Sequence, residues 1–250
     1  MIDKELQIVD HLEELRKRII ISAVGFVVFF IVGIVFSVDI YKWFAKSIDM
    51  KLSVLGPSDI VWVYFMLGMV IAVVGTIPVI AVQIWLFVRP ALRPKERKVT
   101  LTYVPALFFL FIIGLAFGYF VVFPMILSFL LHLGQDMFAA QFTAQKYFQF
   151  MLNVTLPFGV LFELPVVVMF LTSLGIINPY VLSTIRKYAY FVLVVIAVVI
   201  TPPEFVSDIL VTIPLLVLYE ISILISKFVF RKKLKRQREE EEDFKQEDAT

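Results

Sequence analysis

From Ile19 to Val38 the chain runs for 20 residues without a charge, and this stretch limits the fold more than any other feature. At about 1.5 Å per residue, a helix of that length covers the roughly 30 Å hydrocarbon core of a bilayer. Five more apolar segments follow: Val61–Val88, Val104–Phe123, Phe148–Leu174, Tyr188–Ile200 and Ile209–Phe230. Apolar residues make up 60% of the chain and charged residues 18%, and mean hydropathy is +0.92. Soluble domains hold about 45–50% apolar and about 25% charged residues. A water-soluble fold cannot hide so much apolar surface, so the solvent for most of this chain is lipid. The pattern predicts an all-α integral membrane protein with six transmembrane helices. One transmembrane domain is expected over 1–230, with spans at about 19–38, 61–88, 104–123, 148–174, 188–200 and 209–230, and a charged tail over 231–250. No small-x-small cleavage signature follows the first run, which is expected to stay in the protein.

Orientation follows from where Lys and Arg fall. Lys4, Arg16, Lys17 and Arg18 precede the first span, and Arg89, Arg93, Lys95, Arg97 and Lys98 lie between the second and third. Arg186 and Lys187 precede the fifth, and eight more run from Lys227 to Lys245. These make 19 of the 23 basic residues, and the opposite face receives only Lys42, Lys46, Lys51 and Lys146. Both termini are therefore expected in the cytoplasm.

The fifth segment, Tyr188–Ile200, has 13 residues and reaches only about 20 Å as a helix. Either the bilayer thins around it, or its ends snorkel, or its neighbours bury it. Met125–Leu133, bounded by Pro124 and Gly134, predicts a short separate helix on the outer surface. The tail from Arg231 to Thr250 predicts a mobile segment or a frayed extension of the last helix. Pro78, Pro105, Pro157, Pro165 and Pro214 fall within spans and are expected to kink them.

Four acids stand out. Ile8, Leu12, Leu15 and Ile19 recur at helical spacing, which suggests an amphipathic helix running into the first span, and Asp10 with Glu13 resembles a capping box at its start. For Glu14, pattern alone favours an i,i+4 pair with Arg18 over a binding role. Glu96, among five bases, fits charge matching at a helix N-terminus. Both acids are nevertheless isolated on the same expected inner face. Together they can accept planar guanidinium groups through paired hydrogen bonds, which Lys cannot reproduce. Gross attraction is on the order of 4 kcal/mol per pair at about 4 Å and an effective dielectric of about 20, before desolvation. Glu163 lies deep in the fourth span, where a carboxylate must face a cavity or water, be protonated, or be tied to the Asn153 or Thr155 level of a neighbour. Glu220, two turns from Lys227, reads as a snorkelling or inner-face paired acid.

With no Cys, and with His11 and His132 far apart, neither disulfides nor a His-based metal site are expected. No phosphate loop, nucleophile elbow or metal motif occurs, so neither a cofactor nor an enzymatic activity is expected.

Five motifs in order resemble the TatC family of twin-arginine protein translocases. They are His11–Arg18; Pro78-Val79-Ile80 with Gln83–Leu92 and Lys95-Glu96-Arg97; Phe117–Pro124; Phe162-Glu163-Leu164-Pro165; and Ile200–Glu204. The resemblance covers about residues 8 to 230, and departs where Glu204 follows the double proline, a position at which members often carry Asp. It implies a concave six-helix receptor for signal peptides bearing two consecutive arginines. It implies that Glu14 and Glu96 engage that pair, that Arg16 and Leu92 belong to the same site, and that Glu163 is the family's intramembrane acid. It further implies partnership with single-span TatA/TatB-type subunits, transport driven by the proton-motive force, and a homo-oligomer in the plasma membrane with no nucleic acid bound. A solute or proton-coupled transporter built on Glu163 is the competing class. Only one span combines central helix breakers with an acid, and no internal repeat is visible, which counts against it.

Overall fold

A computed structural model of the chain describes residues 2–46, 52–91, 97, 101–134, 142–201 and 205–247. Among these the architecture is helical, and extended pairing is limited to one isolated parallel bridge between Ser53 and Thr143. The helices are α1 (Ile2–Val35), α2 (Ser37–Ala45), α3 (Pro57–Val88), α4 (Tyr103–Phe117), α5 (Phe123–Gly134) and α6 (Ala144–Leu161). They continue with α7 (Leu164–Leu174), α8 (Pro179–Thr184), α9 (Arg186–Ile200) and α10 (Phe205–Glu247). Among the described residues five runs are long and apolar enough to cross a membrane: His11–Val35, Pro57–Val88, Tyr103–His132, Ala144–Leu174 and Val206–Lys235. The α9 helix, with 15 residues, reaches about 22 Å. The chain divides into two compact units, Met1–Gly159 and Val160–Thr250.

In the first unit α1 and α3 run antiparallel, and the seam is set by glycine. A Cβ built on Gly33 would lie 2.7 Å from the Gly68 carbonyl oxygen, so the two backbones pass closer than any other residue allows. Near that crossing Phe30 meets Phe65 edge-on at 5.0 Å, and far along the seam His11 stacks on Phe87 at 4.3 Å. The α2 helix carries Tyr41 and Phe44 onto Phe148 of α6. Ser53 N–H donates to the Phe142 carbonyl at 3.0 Å and the Ala144 N–H to the Ser53 carbonyl at 2.9 Å, tying the segment before α3 to the one before α6.

Pro124 does not detach a surface helix as its sequence position predicts. A π turn over Gly118–Val122 joins α4 directly to α5. The proline lacks the N–H that would bond one turn back, and the wider turn absorbs the mismatch without ending the helix. The capping-box expectation also fails. The α1 helix already runs from Ile2, so Asp10 and Glu13 lie inside it and not at its start.

In the second unit α7 packs on α10 through a buried hydroxyl pair, Thr172 Oγ1 and Ser226 Oγ, 2.7 Å apart. Gly175, at φ +80, ends α7 in the left-handed cap that glycine adopts without penalty. Lys233 Nζ then donates to the Ser173 carbonyl at 2.9 Å, placing a cation at that helix's C-terminus. Asn178 accepts from the Tyr180 N–H at 3.0 Å and starts α8. The tail beyond Phe230 extends the last helix, and α10 runs 43 residues to Glu247. Of the five prolines expected to kink spans, Pro78, Pro157 and Pro214 lie inside helices. Pro165 instead sits at the start of α7 and Pro105 in the first turn of α4, where a missing N–H costs nothing.

Candidate functional site

The antiparallel pairing brings the first turns of the apolar part of α1 against the last turns of α3. Residues four apart on a helix lie on one face, so Glu14 and Arg18 project together. Arg18 Nη2 donates to Glu14 Oε1 at 3.1 Å, which is the i,i+4 pair expected from the pattern. From α3, Gln83 adds what the sequence reading missed: its Oε1 accepts from Arg18 Nη1 at 3.2 Å. The Nε of the same guanidinium is buried with no hydrogen-bond partner among the described residues. Glu14 is half-buried, with 31% of its side chain exposed, against 23% for Arg18. The polar trio thus sits at the edge of the apolar seam, where a charge pair is screened less than on an open surface.

Beside this trio lies a cavity of about 420 Å³ between the two helices. Its walls are Ile19, Ala23 and Phe26 of α1 and Thr76, Ile80 and Ile84 of α3, with Leu15, Arg18, Gln83 and Phe87 at the end nearest Glu14. The arrangement can therefore hold a cationic group at Glu14 and an apolar chain alongside. Arg16 is solvent-exposed on the same turn. Leu92 and Glu96, the remaining residues expected at this site, lie outside the described residues. Arg89, just past α3, sits over the Trp85 ring at 5.4 Å from its centroid.

Known proteins resemble this chain in sequence and in fold. The family model described as Sec-independent protein translocase protein (TatC) matches residues 10–214. The chain belongs to the TatC family. It is 54% identical over 234 residues to the Sec-independent protein translocase protein TatCd of Bacillus subtilis strain 168, covering 94% of this chain and 97% of that relative. To the TatC of Halalkalibacterium halodurans it is 41% identical over 253 residues, spanning both chains in full. A crystal structure of the twin arginine translocase receptor TatC superposes with a TM-score of 0.77 at 32% identity, covering 88% of this chain and 99% of that one. As a TatC-family member the chain is a multi-pass membrane protein and a translocase component.

Two further acids of this TatC-family chain occupy the second unit. Glu163 sits at the break between α6 and α7, with the Phe162–Glu163 turn preceding Pro165. Both its carboxyl oxygens are buried without a hydrogen-bond partner among the described residues. Such a group is costly in hydrocarbon unless it is protonated or meets water. Glu220 is the opposite case. It accepts from Arg186 Nη2 at 2.9 Å and from the Tyr190 hydroxyl at 2.5 Å, tying α9 to α10. The Lys227 considered from sequence lies about 10 Å along the helix from it, whereas α9 delivers Arg186 and Tyr190 one turn apart directly opposite.

Proposed function

We propose that this TatC-family chain is the receptor that binds twin-arginine signal peptides at the cytoplasmic membrane surface. Glu14 and Glu96 each accept one guanidinium, and Arg16 and Leu92 border the same site. The observation that carries this reading is the state of Glu14: a half-buried carboxylate beside an apolar cavity, already in contact with a guanidinium at 3.1 Å. Arginine's planar fork fits such a site and lysine's point charge does not.

The same reading takes α9 as a sixth crossing of one transmembrane domain, with both termini in the cytoplasm. Five crossings would put the two ends on opposite faces, against a distribution of basic residues that favours one face in every loop. The chain would act in the plasma membrane with TatA/TatB-type single-span subunits and further copies of itself, drawing on the proton-motive force to export folded proteins. Glu163 supplies the intramembrane carboxyl needed after binding, which its unpartnered oxygens support.

The test is the affinity of a synthetic twin-arginine signal peptide, and of its twin-lysine counterpart, for the purified full-length chain in nanodiscs. The twin-arginine peptide should bind at least tenfold more tightly, about 1.4 kcal/mol, and Glu14→Ala or Glu96→Ala should abolish the difference. Equal affinities, or no loss in either variant, refute the receptor assignment. Glu163→Gln should leave peptide binding intact and stop transport in reconstituted vesicles.

A further inference from the structure

Glu14 is an occupied carboxylate. Arg18 reaches it with one N–H only, from Nη2 to Oε1 at 3.1 Å, while Nη1 of the same fork is given to the neutral amide of Gln83 at 3.2 Å. A strong arginine–carboxylate pair is bidentate, with two parallel donors on two oxygens. The third guanidinium nitrogen, Nε, is buried and has no partner among the described residues, so this fork is split between two acceptors instead of seated on one. The split is fixed by the helix pair itself, because Glu14 and Arg18 share a face of α1 and Gln83 comes from α3, 65 residues away.

We propose that Arg18 is a tethered competitor for the signal peptide: it holds Glu14 while the site is empty, and Gln83 retains it when a peptide guanidinium takes the carboxylate. This rests on the reading of Glu14 as a peptide-arginine acceptor. A guanidinium arriving in bidentate geometry makes two contacts where Arg18 makes one, and so displaces it. The displaced Arg18 stays within reach of Gln83 and returns when the peptide leaves. Gln83 carries no charge, so it can hold the released guanidinium without attracting the peptide's own arginines in its place. The arrangement sets a threshold for occupancy, since every cationic ligand must first release the same internal pair. It also assists discharge, since the competitor is always at the site.

The experiment measures twin-arginine peptide affinity for the full-length chain in nanodiscs, in four forms: wild type, Arg18→Gln, Gln83→Leu and the double variant. The contribution of an i,i+4 ion pair, expressed as a ratio, is about 1.4- to 2.3-fold. Arg18→Gln should tighten binding by about that factor. Gln83→Leu frees Nη1 to join Nη2 on Glu14 in the empty site, so it should weaken binding by a similar factor, and should have no effect once Arg18 is already Gln. The last result separates displacement from simple relief of charge repulsion, which Gln83→Leu does not alter. Arg18→Lys gives a second route if Arg18→Gln does not fold. An ammonium cannot bridge both acceptors, so the Gln83→Leu effect should vanish there too. Arg18→Gln binding no tighter than wild type, or Gln83→Leu weakening both backgrounds equally, overturns the competitor while leaving the receptor intact. An unchanged affinity in Glu14→Gln instead removes the receptor reading and the competitor with it.

Discussion

Gly33 is where the seam beneath the proposed binding site can be tested by a single methyl group. A Cβ at that position would stand 2.7 Å from the Gly68 oxygen, 2.9 Å from the Gly68 Cα and 2.9 Å from Ile71 Cβ, whereas ordinary contact begins at 3.4 Å. The deficits are 3.4 − 2.7 = 0.7 Å and 3.4 − 2.9 = 0.5 Å, and two of the three atoms are backbone that cannot swing aside. Gly33→Ala therefore forces α1 and α3 apart by roughly half an ångström, a gap that forfeits about a quarter to a half of each dispersion well along the contact. Overpacking of this kind costs about 1–3 kcal/mol. Gly25 on the same helix is the control, because its added Cβ would meet Val79 Cγ1 at 3.4 Å, an ordinary contact. Both substitutions gain the same helix propensity, about 1 kcal/mol, so it cancels in their difference. Gly33→Ala should thus unfold more easily than Gly25→Ala by about 1–3 kcal/mol in denaturant titrations of the detergent-solubilised protein. The two variants unfolding together would refute the close backbone crossing, and with it the register that sets Gln83 opposite Arg18.

Further outcomes follow from the second unit. Glu220→Ala strips Arg186 and Tyr190 of their shared acceptor and should destabilise by about 1.5–3 kcal/mol, the range for hydrogen bonds to charged groups. In a double-variant cycle with Tyr190→Phe the losses should fall short of additive. Thr172→Val breaks the buried pair with Ser226 and should cost about 0.6 kcal/mol, the average for interhelical hydrogen bonds in a bilayer protein, and no more than about 1.7 kcal/mol. Gly175→Ala places a Cβ at φ +80 and 3.0 Å from Lys233 Nζ. It should cost about 1–2 kcal/mol in backbone strain, and Lys233→Ala should relieve the contact but not the strain.

The sequence revealed local relations and concealed those between helices. Glu14 with Arg18 was readable because four residues make one helical turn, and the long apolar helices were readable because lipid demands them. Gln83 was not, since no spacing rule says which faces of two helices meet; Gly33 and Gly68 decide that by how closely they let the backbones pass. A glutamine inside an otherwise apolar run was the available signal, because a polar group in a span needs a partner. Glu220 was read against Lys227 along its own helix, but the bond went to Arg186 and Tyr190 on the antiparallel neighbour. Pro124 misled through a sound rule: proline ends an α-helix, yet a π turn let this one continue. Glu163 stood out in the sequence by its cost in hydrocarbon, and its oxygens are buried without a partner among the described residues.

The account turns on Glu14 and Glu96 lying together on one membrane face, close enough for adjacent arginines to reach both. The chain has no cysteine, so Glu14→Cys with Glu96→Cys introduces the only two thiols. Treated with a short thiol cross-linker in inverted membrane vesicles, this double variant should form an internal cross-link. An excess of twin-arginine peptide added before the reagent should slow that reaction. Labelling of the two cysteines from opposite sides of the membrane, or no cross-link with reagents of any length, would contradict the shared site.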